Sequence, residues 1–314
     1  MLKYIARRLA MLVIVIIGVT LITFTMMHLA PGDPAELIAT ARYGMENLTE
    51  EDVERIRVAE GLDAPVFIQY LRWLGHTVRG DFGCSLVTGD PVQEEILLKI
   101  PATFQLALAA LVVSLLIAIP AGIISAVKQY SPLDYLTMTG ALLGVSMPNF
   151  WLGLLLILLF SVTLGWFPVF GYGSLRHMIL PAVTLGTGMA AITTRLTRSS
   201  MLDVLRQDYI IAARSKGLAE RNVIRTHALK NSFIPVVTIV GLQIGHLLEG
   251  TVIVESIFAW PGIGKLLVDS IFARDFSMIQ GCVLLFAVLF VIVNLLVDIS
   301  YVYLDPRIRY EKES

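Results

Sequence analysis

Apolar residues in this chain gather into long unbroken runs instead of alternating or recurring once per helical turn. The runs at 9–30, 100–127, 135–170, 234–254 and 278–297 each supply about the 20 apolar residues that a helix needs to cross roughly 30 Å of hydrocarbon. A shorter run at 178–194 contains Pro181, Gly186 and Gly188, which suits a helix packed tightly inside a bundle, where small residues let backbones approach. The pattern predicts six transmembrane helices and an all-α integral membrane fold. The 135–170 run is too long for one perpendicular span, and Pro148 within Ser146-Met147-Pro148-Asn149-Phe150 predicts a kink in it.

Composition agrees with this reading: 56% of residues are hydrophobic, 16% are charged and the mean hydropathy is +0.76, values that exclude an ordinary soluble domain. Charge sets the expected orientation, because lysine and arginine collect on the cytoplasmic side. Lys3, Arg7 and Arg8 precede the first run, Lys128 follows the second, and Arg307, Arg309 and Lys312 follow the last. The segment 195–230 carries eight bases against three acids, whereas 31–98 carries thirteen acids against five arginines. Both termini and the 195–230 segment are therefore expected inside, and 31–98 outside. The first run exceeds a secretory signal core and leads directly into Pro31, so it reads as an uncleaved helix.

The polar segments have internal order. Thr49-Glu50-Glu51-Asp52 looks like a helix start, with Gly61 as a stop. A second helix is predicted from Pro65, with Phe67, Tyr70, Leu71 and Leu74 on its inner face. Gly80-Asp81-Phe82-Gly83 predicts a turn, and 91–99 a stretch at the membrane interface. This outer loop reads either as a lid or as a docking surface for an external protein. In the inner segment, Asp208 to Ser215 is predicted helical and Gly217 permits a sharp turn. Ala212 and Ala213 allow close packing there, and Arg214, Lys216, Arg221 and Arg225 supply polar grip.

Candidate chemistry is sparse. Residues 258–265 end in Gly264-Lys265 and resemble a phosphate loop, but Ala259 stands at the first glycine position and Leu266 where the loop needs Ser or Thr. The segment therefore reads as a break after the fifth span, with Trp260 at the headgroup level and a short external or re-entrant helix over 266–272. No catalytic constellation and no metal set is visible. Cys84 and Cys282 fall in a loop and a span, so neither a disulfide framework nor a metal cage is expected. Among polar residues inside spans, Gln243, His246 and Glu249 recur every three residues and Asn149 adjoins Pro148. These four are candidates to line a translocation pathway, because ionisable groups in a membrane face protein or water.

The polar segment from Asp208-Tyr209-Ile210 through Ala213-Arg214, Lys216-Gly217-Leu218 and His227-Ala228-Leu229 to Asn231 and Pro235 resembles the ATPase-gripping loop of importer permeases. Further matches are Pro31-Gly32-Asp33-Pro34, Gly144-Val145-Ser146-Met147-Pro148, Arg198-Ser199-Ser200-Met201, Phe258-Ala259-Trp260-Pro261-Gly262 and Asp305-Pro306-Arg307-Ile308-Arg309. Together they resemble the peptide/nickel class of ATP-binding-cassette importer permeases. One departure is Ile211, where the broader loop motif has Glu.

The resemblance implies a type I importer permease bundle with a cytoplasmic coupling helix and a helical extracytoplasmic loop, in the cell membrane. It assigns ATPase docking to Ala212, Ala213, Arg214, Lys216, Gly217, Leu218, Arg221 and Arg225. It divides the chain into a tip and first helix (1–30), an outer loop (31–99), a five-helix core (100–304) that includes the docking loop 200–232, and a cytoplasmic tail (305–314). The implied partners are a second homologous permease, two ATPases that bind ATP and Mg, an extracytoplasmic binding protein and the lipid bilayer, with no nucleic acid. This chain itself would hold no cofactor and catalyse nothing. The 167–173 connection running into His177 resembles nickel-type members, so nickel, free or chelated, is the leading substrate expectation. Dipeptides, oligopeptides or glutathione are the alternative. A secondary transporter working alone and a membrane scaffold stand as rival classes.

Overall fold

A computed structural model describes residues 2–29, 32–44, 48–59 and 61–304; the tail motif at 305–309, with Ala30 and Pro31, lies outside the described residues. Among these, every regular element is a helix, apart from an isolated bridge between Cys84 and Pro91. Five helical stretches are long and apolar enough to cross a membrane: Ala10–Leu29, Val92–Val127, Leu175–Leu205, Glu220–Gly245 and Phe276–Val297. A bent pair, Pro132–Ser146 with Asn149–Thr163, makes six if it counts as one span.

The expected kink at Pro148 is a break of 109°. A proline ring disfavours helical geometry at the residue before it, and Met147 is extended with ψ 126. Helix α6 (Pro132–Ser146) therefore ends there, and a separate helix restarts at Asn149 with Pro148 as its cap.

The chain divides into two compact units. The first comprises Met1–Ala102 with Gly262–Ile292, and the second Thr103–Pro261 with Val293–Ser314. In the first unit, α1 (Leu2–Leu29) is followed by α2 (Pro34–Tyr43), α3 (Glu50–Ala59) and α4 (Val66–Val78). Asp33 caps α2, accepting from the Ala35 N–H at 3.0 Å, and also pairs with Arg57 of α3; that carboxylate raises the Arg57 guanidinium above its ordinary pKa. Thr49 caps α3 as expected, its hydroxyl accepting from the Asp52 N–H at 3.2 Å. Gly61 follows with φ +66, a left-handed conformation that glycine adopts without strain. Ala35, Ile38, Ala39 and Ile56 form the buried core of this pair.

Two expectations for the first unit need correction. The buried face of α4 is Tyr70 and Thr77, with Trp73 half-buried, whereas Phe67 and Leu71 are exposed. Tyr70 reaches α1, where its hydroxyl lies 3.1 Å from Thr20 Oγ1 and its ring meets Phe24 edge-on at 5.4 Å. Residues 91–99 are not a separate interfacial stretch. They begin α5 (Val92–Val127), one continuous helix whose Val92 and Ile96 pack with Ile263, Met278 and Cys282. The short helix expected over 266–272 is α12 (Ile263–Ala273), and it leads into α13 (Phe276–Leu304).

The second unit contains the rest of α5, then α6, α7 (Asn149–Leu156), a π-helical turn (Ile157–Thr163), α8 (Leu175–Leu205), α9 (Asp208–Ser215), α10 (Glu220–Asn222), a second π-helical stretch (Val223–Ala228) and α11 (Leu229–Ile257). Helix α8 confirms the weak 178–194 run and extends it. With 31 residues it is about 46 Å long at 1.5 Å per residue, so it outreaches the hydrocarbon.

Small residues seat α8 against α5. A Cβ on Gly186 would lie 2.7 Å from the Ala110 carbonyl oxygen, and one on Gly122 would lie 2.6 Å from Thr197 Cβ. Gly186→Ala is expected to destabilise the bundle by about 1–3 kcal/mol, because the obstructing atom is backbone and cannot rotate aside. Thermal unfolding of the purified chain tests this; an unchanged midpoint would show that the helices part at no cost.

Trp260 also departs from expectation. It is 2% exposed, with its ring edge-on to Tyr172 at 4.7 Å. It is a packing residue inside the protein and not a headgroup anchor.

Candidate coupling site and pathway residues

The far end of α8 passes through Arg206 and Gln207 into α9, a two-turn helix that is buried on one side only. Ile210 and Ala213 are buried with Met201 of α8, Ala126 of α5, and Val223 and Ala228 of the π-helical stretch. This three-residue spacing puts Ile210 and Ala213 on one face. The other face is open: Ile211 is 52% exposed and Leu218 42%, and Ala212 is exposed beside them.

The turn after α9 is closed in two ways. Gly217 has φ +78, and its N–H donates to the Arg214 carbonyl at 2.9 Å. Across the turn, Arg214 Nη2 and Nε donate to the two Glu220 carboxylate oxygens at 2.6 and 3.1 Å. The Glu220 bonds raise the Arg214 guanidinium above its ordinary pKa. Tyr209 tethers the start of α9, its hydroxyl accepting from Asn231 Nδ2 at 2.9 Å.

Of the eight residues expected at an ATPase contact, Ala212, Arg214, Lys216, Gly217, Leu218, Arg221 and Arg225 are exposed. Ala213, by contrast, is buried and packs in the cluster that seats α9 on the bundle. Arg214 spends its fork on Glu220. The remaining surface combines the apolar Ile211, Ala212 and Leu218 with Lys216, Arg221 and Arg225.

The described pathway candidates differ in their surroundings. Gln243 is buried, with Nε2 donating to Thr193 Oγ1 at 3.0 Å and Oε1 unpartnered among the described residues. Glu249 is exposed. Six residues along a helix rotate a side chain by about 120° from the first, so three-residue spacing does not hold Gln243 and Glu249 on one face. The His246 side chain lies outside the described residues. Asn149 abuts the glycines of two neighbouring helices: a Cβ on Gly188 would lie 3.8 Å from its Oδ1, and one on Gly250 would lie 3.4 Å from its Nδ2.

Three buried acids escaped the sequence reading because nothing in a linear pattern pairs them with a distant partner; one is Asp275, which accepts from the Ser85 hydroxyl. Glu255 is fully buried and accepts from Thr103 Oγ1 at 2.7 Å. Asp134, in the first turn of α6, accepts from Nε and Nη2 of Arg198; its only linear signal is the capping pattern Ser131-Pro132. Among the described residues, no group of three His, Cys, Asp or Glu side chains converges as a metal site.

Five or six candidate spans, with an exposed short helix and turn following α8, are what an importer permease requires. Residues 118–310 match the family described as binding-protein-dependent transport system inner membrane component, and residues 1–107 match its N-terminal component. The chain belongs to this family: it is a multi-pass inner membrane permease subunit of an ATP-binding-cassette transporter, not itself an ATPase, and it works with ATPase and binding-protein partners.

Full-length relatives narrow the class. The chain is 44% identical over 321 residues to the oligopeptide transport system permease protein AppB of Bacillus subtilis, covering 99% of this chain and 100% of the relative. It is 44% identical over 340 residues to the di/tripeptide transport system permease protein DppB of Pseudomonas aeruginosa, and 44% over 311 residues to the glutathione transport system permease protein GsiC of Escherichia coli K12, with the same coverage. The fold is similar to inward-facing conformations of the MetNI methionine ABC transporter, with TM-score 0.57 at 16% identity over 67% of this chain and 96% of that one. An amino acid ABC transporter matches with TM-score 0.51 at 14% identity, over 66% of this chain and 92% of that one. The expectation of nickel as leading substrate finds no support among these relatives, which are named for peptides and glutathione.

Proposed function

We propose that this chain is one permease subunit of an importer for short peptides, a class that includes the tripeptide glutathione. The identity of 44% along the whole chain to oligopeptide, di/tripeptide and glutathione permeases carries this reading. A second homologous permease, two ATPases and an extracytoplasmic binding protein complete the transporter. Both termini and α9 face the cytoplasm, and the 31–91 segment faces outward toward the binding protein. ATP binding draws the ATPases together, their motion reaches the bundle through α9, and the bundle alternates its access. Asn149, Gln243, His246 and Glu249 are candidate contacts along the pathway.

The ATPases dock on the exposed face of α9 and its turn. Ile211 at the position of the motif's Glu makes this contact more apolar than a salt-bridged one. Ile211→Asp is therefore expected to leave membrane level unchanged and weaken co-purification of the ATPases about tenfold, as burial of an unpaired charge at an interface costs 1.4 kcal/mol or more. Normal recovery of the ATPases with this variant would remove α9 from the contact.

Reconstitution tests the whole reading. Proteoliposomes with all five subunits and ATP inside should accumulate labelled di- or tripeptide or glutathione, and this should depend on the binding protein. Accumulation of nickel without peptide would reject the substrate class. Uptake driven by an ion gradient with this chain alone would instead establish a secondary carrier.

A further inference from the structure

The Asp134–Arg198 pair lies outside every role assigned above, and its geometry is that of a built joint. Asp134 is 2% exposed and its carboxylate is fully engaged. Arg198 Nε donates to Oδ1 at 2.7 Å and Nη2 to Oδ2 at 2.8 Å, a two-pronged arrangement that fixes orientation as well as distance. Ser125 of α5 donates to the same Oδ1, and the Tyr130 N–H donates to Oδ2 at 2.9 Å from the turn between α5 and α6, where Tyr130 has φ 62. One carboxylate thus ties α5, the α5–α6 turn, α6 and α8 together.

Both ends of this joint adjoin functional elements. Ser125 is followed by Ala126, and Arg198 lies one turn before Met201; Ala126 and Met201 are among the residues with which Ile210 and Ala213 of α9 are buried. At its other end α6 stops at the Met147–Pro148 break, next to Asn149 among Gly188 and Gly250. Between these ends α6 is a 15-residue helix, about 22 Å of stiff rod.

We propose that Asp134 and Arg198 are positioning residues that lock α6 to α8, so that a displacement of α9 is carried along α6 to the break beside Asn149. Without the pair, α9 and α8 move while α6 lags, and hydrolysis proceeds without opening the pathway. The inference rests on the importer reading for its functional consequence, but not for the mechanical link itself.

The test separates this role from plain stability. Removing one partner leaves a buried charge uncompensated and is expected to cost folding, whereas replacing both need not. Asp134→Asn keeps an oxygen for the Tyr130 N–H, and Arg198→Met removes the cation, so the double variant leaves no buried ion behind. In the purified wild-type chain, Ile210→Ala, which loosens the α9 seat, should speed amide exchange across residues 132–140 about threefold or more. In the double variant the same change should leave 132–140 unaffected. The link is wrong if Ile210→Ala does not reach 132–140 with the pair intact, or reaches it equally without the pair.

In the assembled transporter, the double variant should keep normal subunit recovery while ATP hydrolysed per substrate imported rises about tenfold, with Arg198→Lys in between because it keeps charge but loses the fork. A wild-type ratio in the double variant would also overturn the proposal. If even the wild-type complex shows no ATP-dependent uptake, the importer reading fails, and the exchange experiment still decides the joint.

Discussion

Gly217→Val lowers ATP-dependent uptake at least about tenfold in vesicles carrying the complete transporter, with the protein inserted at normal level. Within this chain the cause is backbone strain, and Gly217→Asn controls for added bulk at the ATPase contact. No atom lies within 4 Å of a Cβ built on Gly217, so there is no clash to relieve, but φ +78 is a left-handed conformation that costs an L-residue about 1–2 kcal/mol and a β-branched one more. That cost falls on a two-turn helix whose turn is closed by one backbone bond and the Arg214–Glu220 pair. Gly217→Asn, a residue that tolerates this conformation, should stay within about threefold of wild type. Gly217→Asp has the same shape as Asn and adds a second carboxylate beside Arg214, so the difference between the two isolates charge from strain. Equal uptake by the Val and Asn variants would show that the turn geometry is not what transmits the ATPase stroke.

Trp260→Ala removes about 3–5 kcal/mol of stability, read as a lower thermal midpoint of the purified chain and faster proteolysis of the 164–174 connection. Trp260 is buried at the end of α11, where it holds the Tyr172 ring, while the Gly171 N–H donates to the Phe258 carbonyl at 3.1 Å. Together these pin the connection between the π-helical turn and α8. Tyr172→Phe keeps the ring and loses only the hydroxyl bond to Gln105 Oε1 at 3.0 Å, so it should cost about 1 kcal/mol. If Trp260→Ala costs no more than Tyr172→Phe, the indole is not the anchor.

The amino-acid sequence by itself determined the class of fold. A membrane span must satisfy its backbone internally, so length and apolarity of a run suffice to predict helix; four of the five long runs lie in single helices, and the fifth, 135–170, is split at Pro148 into α6 and α7. Local signals were equally legible: Thr49 and Gly61 bound α3, Gly217 ends α9, and Pro148 ends α6, because caps, left-handed glycines and prolines act within a few residues. Tertiary structure decided which way side chains face and which distant ones meet. It turned Trp260 inward, placed Ala213 under α9 and Ala212 on its surface, and put Gln243 and Glu249 in different surroundings despite their regular spacing. It also closed Asp134 onto Arg198, 64 positions away. In an apolar run almost every residue satisfies the membrane, so hydrophobicity cannot distinguish lipid-facing from protein-facing positions. Only the packing of small residues such as Gly122 and Gly186, together with the need of each buried charge for a partner, makes that distinction.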